Sequence, residues 1–196
     1  MKKIELITIV LIYLIGDNMK IGIIDSGKGA LAISRYLKEE VIVLMDISYF
    51  PYGNKSKEFL CKRCLYLCDY LINKGVDIII LGCNTLSIYA LDFVRNILNI
   101  KIFGVFEYVK EYLTKDNLFI GTKKTIEYVK NNYDVNVIDG SRWIEDIQYN
   151  KGINNMINYL SKTKYNNIIL GCTHFLMYDY PFKVVLPIKN LLEDIK

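Results

Sequence analysis

The stretch DIIILGCNTLS, at Asp77–Ser87, decides the fold, because the chain repeats its pattern as NNIILGCTHFL at Asn166–Leu176. In both copies a continuous apolar run ends in Gly-Cys, and hydroxyl or amide side chains open the segment that follows. Such a run is typical of a parallel strand that is covered on both faces. The repeat therefore predicts two similar lobes, in which Cys83 and Cys172 each follow the carboxyl end of a strand.

Short β-branched runs alternate with amphipathic stretches on both sides of these copies. This alternation predicts an α/β fold of two similar lobes, with mainly parallel sheets flanked by helices and related by a pseudo-two-fold axis. Ligands of such sheets bind beyond the carboxyl ends of the strands, so we expect the active site in the cleft between the lobes. We place the first lobe at residues 19–105 and the second at residues 106–196. The expected strands are Lys20–Ile24, Val41–Met45, Asp77–Leu81, Lys101–Val105, Leu118–Ile120, Val135–Ile138 and Asn167–Leu170. Five helices are expected. Two of them end near Lys38 and Lys130, and the other three span about residues 55–74, 85–98 and 152–162.

Residues 1–18 do not fit this pattern. Lys2 and Lys3 precede an apolar run from Ile4 to Ile15, which is too short to span a bilayer comfortably, and no small-residue cleavage site follows it. Met19 then begins MKIGIIDSG, which is typical of a first core strand. We expect residues 1–18 to be a loosely attached extension, or Met19 to be the true start.

Composition excludes several classes of partner. The formal charge of +4 has no basic run behind it, so we expect no nucleic-acid partner and no membrane association. Five cysteines, an odd number, indicate free thiols in a reducing cytoplasm. Neither a P-loop nor a full dinucleotide fingerprint is present, which argues against a nucleotide cofactor.

Three of the cysteines have helical spacing. Cys61, Cys64 and Cys68 lie at i, i+3 and i+7, so they share one face of a helix. A metal site there would require a fourth ligand, and the only histidine, His174, is distant in the sequence. We therefore predict small apolar side chains on a buried helix face, with no metal, and keep a zinc or iron site as the alternative.

The other two cysteines are placed for proton transfer. A thiol between a strand end and a helix start lies near unpaired backbone N–H groups, which lower the pKa of a thiol toward neutrality. The same N–H groups, together with Asn84, Thr85 and Thr173, form an expected site for a carboxylate. Two such thiols on opposite sides of one carbon can exchange its proton. The alternatives are small core residues or a disulfide.

Five motifs in this order resemble the glutamate racemases of the aspartate/glutamate racemase superfamily. They are DSGKGA at 25–30, PYGNKS at 51–56 with Asp46 before it, GCNT at 82–85, GTKKTI at 121–126 and GCTH at 171–174. The resemblance implies a cofactor-independent isomerase that converts L- to D-glutamate, a small-molecule substrate, for cell-wall synthesis. It implies that Cys83 and Cys172 are the catalytic thiols, with Asp25 beside one of them and His174 assisting Cys172.

The resemblance also implies a set of substrate-binding residues. Those matched to the amino and α-carboxylate groups are Ser26, Asn84, Thr85, Thr122 and Thr173; those matched to the side-chain carboxylate are Pro51, Tyr52 and Gly53. Glu145 corresponds to a family carboxylate near the second thiol, although the surrounding segment matches poorly. The simpler alternatives are a helix cap for Asp25, a hydrogen-bonded surface residue for His174, an ordinary turn at 51–53 and a solvated carboxylate at Glu145.

Several positions depart from the family pattern. Ala30 replaces a usual glycine, Tyr49 stands where arginine is frequent, and Leu176 stands where proline is common. The chain is also shorter than the family norm. Two alternatives therefore stay open: a racemase of aspartate or another small acid, and an inactive homologue that binds an amino acid or a protein. A homodimer is possible.

Overall fold

Two sheets organise the residues that the computed structural model describes, which are 8–12, 19–185 and 188–195. The first lobe contains β1 (Thr8–Ile12), β2 (Lys20–Asp25), α1 (Gly29–Ser34), β3 (Glu40–Met45), α2 (Lys57–Ile72), β4 (Ile78–Leu81), α3 (Asn84–Arg95) and β5 (Lys101–Gly104). The second contains β6 (Leu118–Gly121), α4 (Lys123–Asn132), β7 (Asn136–Asp139), α5 (Ser141–Gln148), α6 (Asn154–Leu160), β8 (Ile168–Gly171) and β9 (Val184–Val185), and α7 (Ile188–Ile195) follows.

The two sheets repeat one strand order. The first sheet runs β1-β3-β2-β4-β5, with β2 to β5 parallel and β1 antiparallel to β3 at the edge. The second runs β7-β6-β8-β9 and is parallel throughout. β2 and β4 therefore correspond to β6 and β8, and the two Gly-Cys turns follow equivalent strands. The predicted α/β fold of two similar, mainly parallel lobes is confirmed.

Helices cover both faces of each sheet. In the first lobe α2 and α3 pack on one face, while α1 and α7 pack on the other through Ile33, Ile188 and Leu191. In the second lobe α5 and α6 cover one face and α4 covers the other. The strands are continuous apolar runs because both of their faces are buried. Helix α7 follows the second sheet in the chain but packs on the first lobe.

The helical cysteines lie where the spacing predicted. Cys61, Cys64 and Cys68 are buried in the core between α2 and the first sheet. Cys61 Sγ also hydrogen-bonds the carbonyl oxygen of Tyr89 at 3.3 Å. These side chains therefore serve as apolar packing groups of the first lobe.

Element boundaries differ from the predicted ones in a few places. Helix α1 ends at Ser34 rather than near Lys38, because Tyr36 N–H and Leu37 N–H bond carbonyl groups three residues back in a tighter turn. Helices α5 and α7 and the short strand β9 were not predicted. Helix α5 is short, and the charged residues between Ile144 and Ile147 make its apolar face hard to recognise in the sequence.

The extension predicted at residues 1–18 falls partly outside the described residues, since 1–7 and 13–18 are not described. Between them, β1 pairs along the outer edge of β3. Among the helices that the structure describes, none has the length and apolar character needed to cross a bilayer.

Candidate active site

The Gly-Cys turns of the two lobes open into one small cavity at the carboxyl ends of the central strands. Cys83 precedes the first turn of α3, and Cys172 precedes the short 3₁₀ helix Thr173–Met177. Every predicted site residue except Thr173 and Glu145 lines this cavity. The lining consists of Asp25, Ser26, Phe50, Pro51, Tyr52, Gly53, Cys83, Asn84, Thr85, Thr122, Ile144, Gly171, Cys172 and His174.

Asp25 ends β2 and is buried where the two lobes meet. Gly27 N–H donates to its Oδ1 at 3.2 Å, and the hydroxyl of Thr173 donates to its Oδ2 at 2.7 Å. Burial raises the pKa of Asp25 from 3.8 to about 6, although these hydrogen bonds act in the opposite direction. Lys28, not Asp25, occupies the N-cap of α1. Asp25 is therefore a buried carboxyl group that titrates near neutral pH.

The two thiols carry raised pKa values in the closed cavity, opposite to the direction expected from the helix start. Burial, followed by the charge of Asp25, raises the pKa of Cys83 to about 12 and raises that of Cys172 well above its usual value. The expected backbone N–H groups are present and lower both values, but desolvation outweighs them. Both sulfurs are free thiols.

His174 is buried rather than lying on the surface. Its Nδ1 lies 3.4 Å from Cys172 Sγ, and its Nε2 lies 2.8 Å from Oε1 of Gln148. Burial, together with the charge of Lys28, lowers the pKa of His174 from 6.5 to about 4. The imidazole is therefore neutral at physiological pH and is held against the second thiol.

Hydroxyl groups from both lobes meet on another side of the cavity. The Oγ1 atoms of Thr85, Thr122 and Thr125 form a triangle with sides of 3.0 to 3.1 Å. Next to Thr85, the buried Asn84 amide has no hydrogen-bond partner among the described residues for either Nδ2 or Oδ1. An unpaired buried amide is rare in folded proteins, and it supplies both a donor and an acceptor to a ligand.

The Pro51–Gly53 loop is anchored by a buried ion pair. The Tyr52 hydroxyl donates to Oδ2 of Asp46, and the Arg63 guanidinium donates to both carboxylate oxygens of Asp46 at 2.8 and 2.9 Å. A Cβ on Gly53 would lie 2.9 Å from Cβ of Thr122, so the loop approaches the second lobe more closely than a side chain allows. The Pro51–Gly53 loop therefore forms a fixed wall of the cavity.

Two predicted residues lie beside the cavity rather than in its lining. Thr173 reaches the cavity only through its hydrogen bond to Asp25. Glu145 lines an adjoining outer pocket with Pro51, Gly53 and Lys123. The side chain that contacts His174 from α5 is Gln148, three residues further along. Gln148 was not predicted from the sequence, and neither were the roles of Asp46, Arg63 and Thr125.

Comparison with known proteins identifies the family. No model of a protein family matches the chain. Glutamate racemase from Aquifex pyrophilus is 35% identical over 192 aligned positions, which cover 86% of this chain and 76% of that protein. The chain belongs to the glutamate racemase family. The crystal structure of the racemase from Campylobacter jejuni superimposes with a TM-score of 0.73 at 26% identity, over 90% of this chain and 84% of that one. The racemase from Francisella tularensis, in complex with D-glutamate, gives 0.72 at 26% identity, over 92% and 81%.

This racemase is therefore an isomerase, as its motifs imply. One of its departures from the family pattern has a structural counterpart. Tyr49, which the sequence marks as such a departure, lies with its ring under the guanidinium of Arg63, 4.7 Å from the ring centroid. An arginine from α2 thus stands beside the Pro51–Gly53 loop of this racemase.

Proposed function

We propose that this racemase interconverts L- and D-glutamate without a cofactor, one of Cys83 and Cys172 removing the α-proton and the other donating a proton to the opposite face of the α-carbon. The observation that carries the proposal is that both thiols line one cavity from opposite lobes, each after an equivalent strand. The names of its relatives support glutamate as the substrate, and one related structure holds D-glutamate.

The proton transfer balances within the two thiols. The thiolate on one face of the substrate takes the proton from the α-carbon, and the electron pair of the broken C–H bond stays on the substrate. The thiol on the opposite face then gives its proton to that carbon, so the configuration inverts. One sulfur ends the turnover as a thiol and the other as a thiolate, ready for the reverse direction.

The polar lining suits an α-amino acid. The free amide of Asn84 offers a donor to the α-carboxylate and an acceptor to the ammonium group. A substrate ammonium that pairs with Asp25 would also neutralise the negative charge that raises both thiol pKa values. Ser26, Thr85 and Thr122 supply hydroxyls for the same two groups, and Thr173 contributes through its hydrogen bond to Asp25. We assign the Pro51–Gly53 loop to the side-chain carboxylate, and the D-glutamate product to cell-wall synthesis.

The test measures racemisation and exchange together. When L-glutamate is incubated with the wild-type protein in D₂O, the circular dichroism of the glutamate is expected to decay. Deuterium is expected to enter at its α-carbon. C83S and C172S are each expected to lower kcat/KM by about 10²-fold or more. C61S is the matched control, because its serine hydroxyl keeps a donor for the Tyr89 carbonyl outside the cavity.

Several outcomes would contradict the proposal. A wild type without racemisation or exchange contradicts the assignment as an active enzyme. Activity on aspartate with none on glutamate contradicts the substrate assignment. Cysteine variants that retain full activity contradict the two-thiol mechanism. Because the enantiomers have equal free energies, kcat/KM must fall equally in both directions, which checks the measurement.

A further inference from the structure

Gln148 lies at the junction of both lobes and the second thiol. It is the last residue of α5 and is 5% exposed. Its Oε1 lies 2.9 Å from the backbone N of Lys28, in the first lobe, and 2.8 Å from Nε2 of His174. A Cβ on Gly27 would clash with this same oxygen, so glycine there lets the Gln148 side chain come this close.

The two contacts determine which ring nitrogen of His174 carries the proton. A backbone N–H donates only, so the Gln148 atom facing Lys28 is the carbonyl oxygen and not the amide nitrogen. A carbonyl oxygen accepts only, so Nε2 of His174 donates to it. A neutral imidazole has one N–H, which leaves a lone pair on Nδ1, 3.4 Å from Cys172 Sγ. The thiol is then the donor in that contact.

We propose that Gln148 is a positioning residue that holds His174 as the Nε2–H tautomer and so makes Nδ1 the acceptor of the Cys172 thiol proton. The catalytic consequence rests on the proposed function of Cys172, whereas the tautomer does not. When the proton moves, the S–H bond breaks, an N–H bond forms on Nδ1, and a thiolate and an imidazolium result. The Gln148 oxygen keeps its hydrogen bond to Nε2–H throughout.

The surroundings of His174 keep this imidazolium short-lived. Gln148 is neutral, so it orients the ring without the stabilisation that a carboxylate gives to an imidazolium. The ammonium group of Lys28 disfavours the charged ring further, and the ring of Phe50 packs 5.5 Å away. The proton is therefore returned readily to the sulfur, as a thiol that alternates between acid and base requires.

The first test reads the tautomer without any substrate. Because His174 is the only histidine, protein labelled with ¹⁵N-histidine gives a single imidazole spin system. The wild type at pH 7 is expected to show a protonated Nε2 and an unprotonated Nδ1. Q148L removes the acceptor with little change in volume, so loss of the exclusive Nε2–H form is expected. Q148E keeps an acceptor, so it is expected to restore that form and to raise the pKa of His174.

The kinetic readout separates positioning from folding. Q148L is expected to lower kcat about 10²-fold with little change in KM, and Q148E to recover part of the loss at a shifted pH optimum. R142Q, on the exposed face of the same helix, is the control for both tautomer and activity. An Nδ1–H tautomer in the wild type, or a Q148L tautomer and kcat like those of the wild type, would overturn the inference. An inactive wild type with the Nε2–H tautomer supports the positioning role and counts against the proposed function.

Discussion

The hydroxyl of Thr173, beside the second thiol, donates a 2.7 Å hydrogen bond to the carboxylate of Asp25, in the first lobe. This contact joins the turn after β2 to the turn after β8 across the lobe boundary. Donation to a carboxylate stabilises its ionised form, so Thr173 lowers the pKa of Asp25 against the effect of burial. Thr173 is therefore placed to set the pH range in which Asp25 carries charge.

T173V removes this donor with little change in shape, so we expect the pKa of Asp25 to rise. A net hydrogen-bond contribution of about 1 kcal/mol corresponds to about 0.7 pH unit. The acid limb of the kcat/KM–pH profile is expected to move upward by about that amount. T173S retains the hydroxyl and is the matched control. A T173V profile with an unchanged acid limb would show that Asp25 does not govern it.

Asp25 is expected to reduce the stability of the ligand-free protein at neutral pH. Its pKa is 3.8 when unfolded and about 6 when folded, so the folded state binds the proton more tightly. The stabilising contribution of the bound proton is complete below the unfolded pKa and is lost as the pH rises through about 6. D25N removes the titration and is expected to stabilise the protein at pH 7 by up to about 3 kcal/mol, while lowering activity.

The measurement for D25N is urea unfolding at pH 7 and at about pH 4. The gain over wild type is expected to shrink toward the lower pH, where the folded wild type holds the Asp25 proton and the unfolded chain begins to bind it. His174 titrates in the same range but is present in both proteins, so it cancels in the comparison. An equal difference at the two pH values would contradict a raised pKa at Asp25.

The sequence predicted the architecture of the site better than its electrostatics. The Gly-Cys turns could be predicted because an apolar run followed by Gly-Cys occurs twice in the sequence. Their common location could be predicted because parallel strands place their carboxyl ends at the same edge of a sheet. The raised thiol pKa values were not visible, because the closure that desolvates Cys83 and Cys172 arises from the packing of two lobes. The N–H groups expected to lower these values are present, but their effect is weaker than desolvation.

Contacts between distant residues explain the residues that were missed. Gln148 meets Lys28 across 120 positions of sequence, and no local pattern marks a glutamine at the end of a short helix. Arg63 lies on the same buried face of α2 as Leu60 and Leu67, but its charged side chain gives no sign in the sequence that it is buried. It is buried only because Asp46 lies opposite, and a buried arginine is rare without such a partner.

The Arg63–Asp46 pair makes a prediction for stability. R63M leaves the buried carboxylate of Asp46 without its cation, and breaking such a pair costs about 3–5 kcal/mol. R63M/D46L removes both charges and is expected to recover much of the loss. R142M breaks an exposed pair with Asp146 and is expected to cost at most about 1 kcal/mol. Urea unfolding checks all three; a double variant no more stable than R63M would contradict the assignment.

Gly53 makes the last prediction, because it sets the distance between the Pro51–Gly53 loop and the second lobe. In G53A the added methyl group would lie 2.9 Å from Cβ of Thr122, so the loop must move away. Catalytic groups displaced by about 1 Å lose about 10²-fold in rate, so kcat/KM is expected to fall by one to two orders of magnitude. The fold is expected to persist, because the clash lies at the cavity wall and outside both cores. Thermal unfolding and racemisation assays test this prediction together. An unchanged kcat/KM in G53A would show that activity does not need this close approach. An unfolded G53A would show that Gly53 is required for the fold instead.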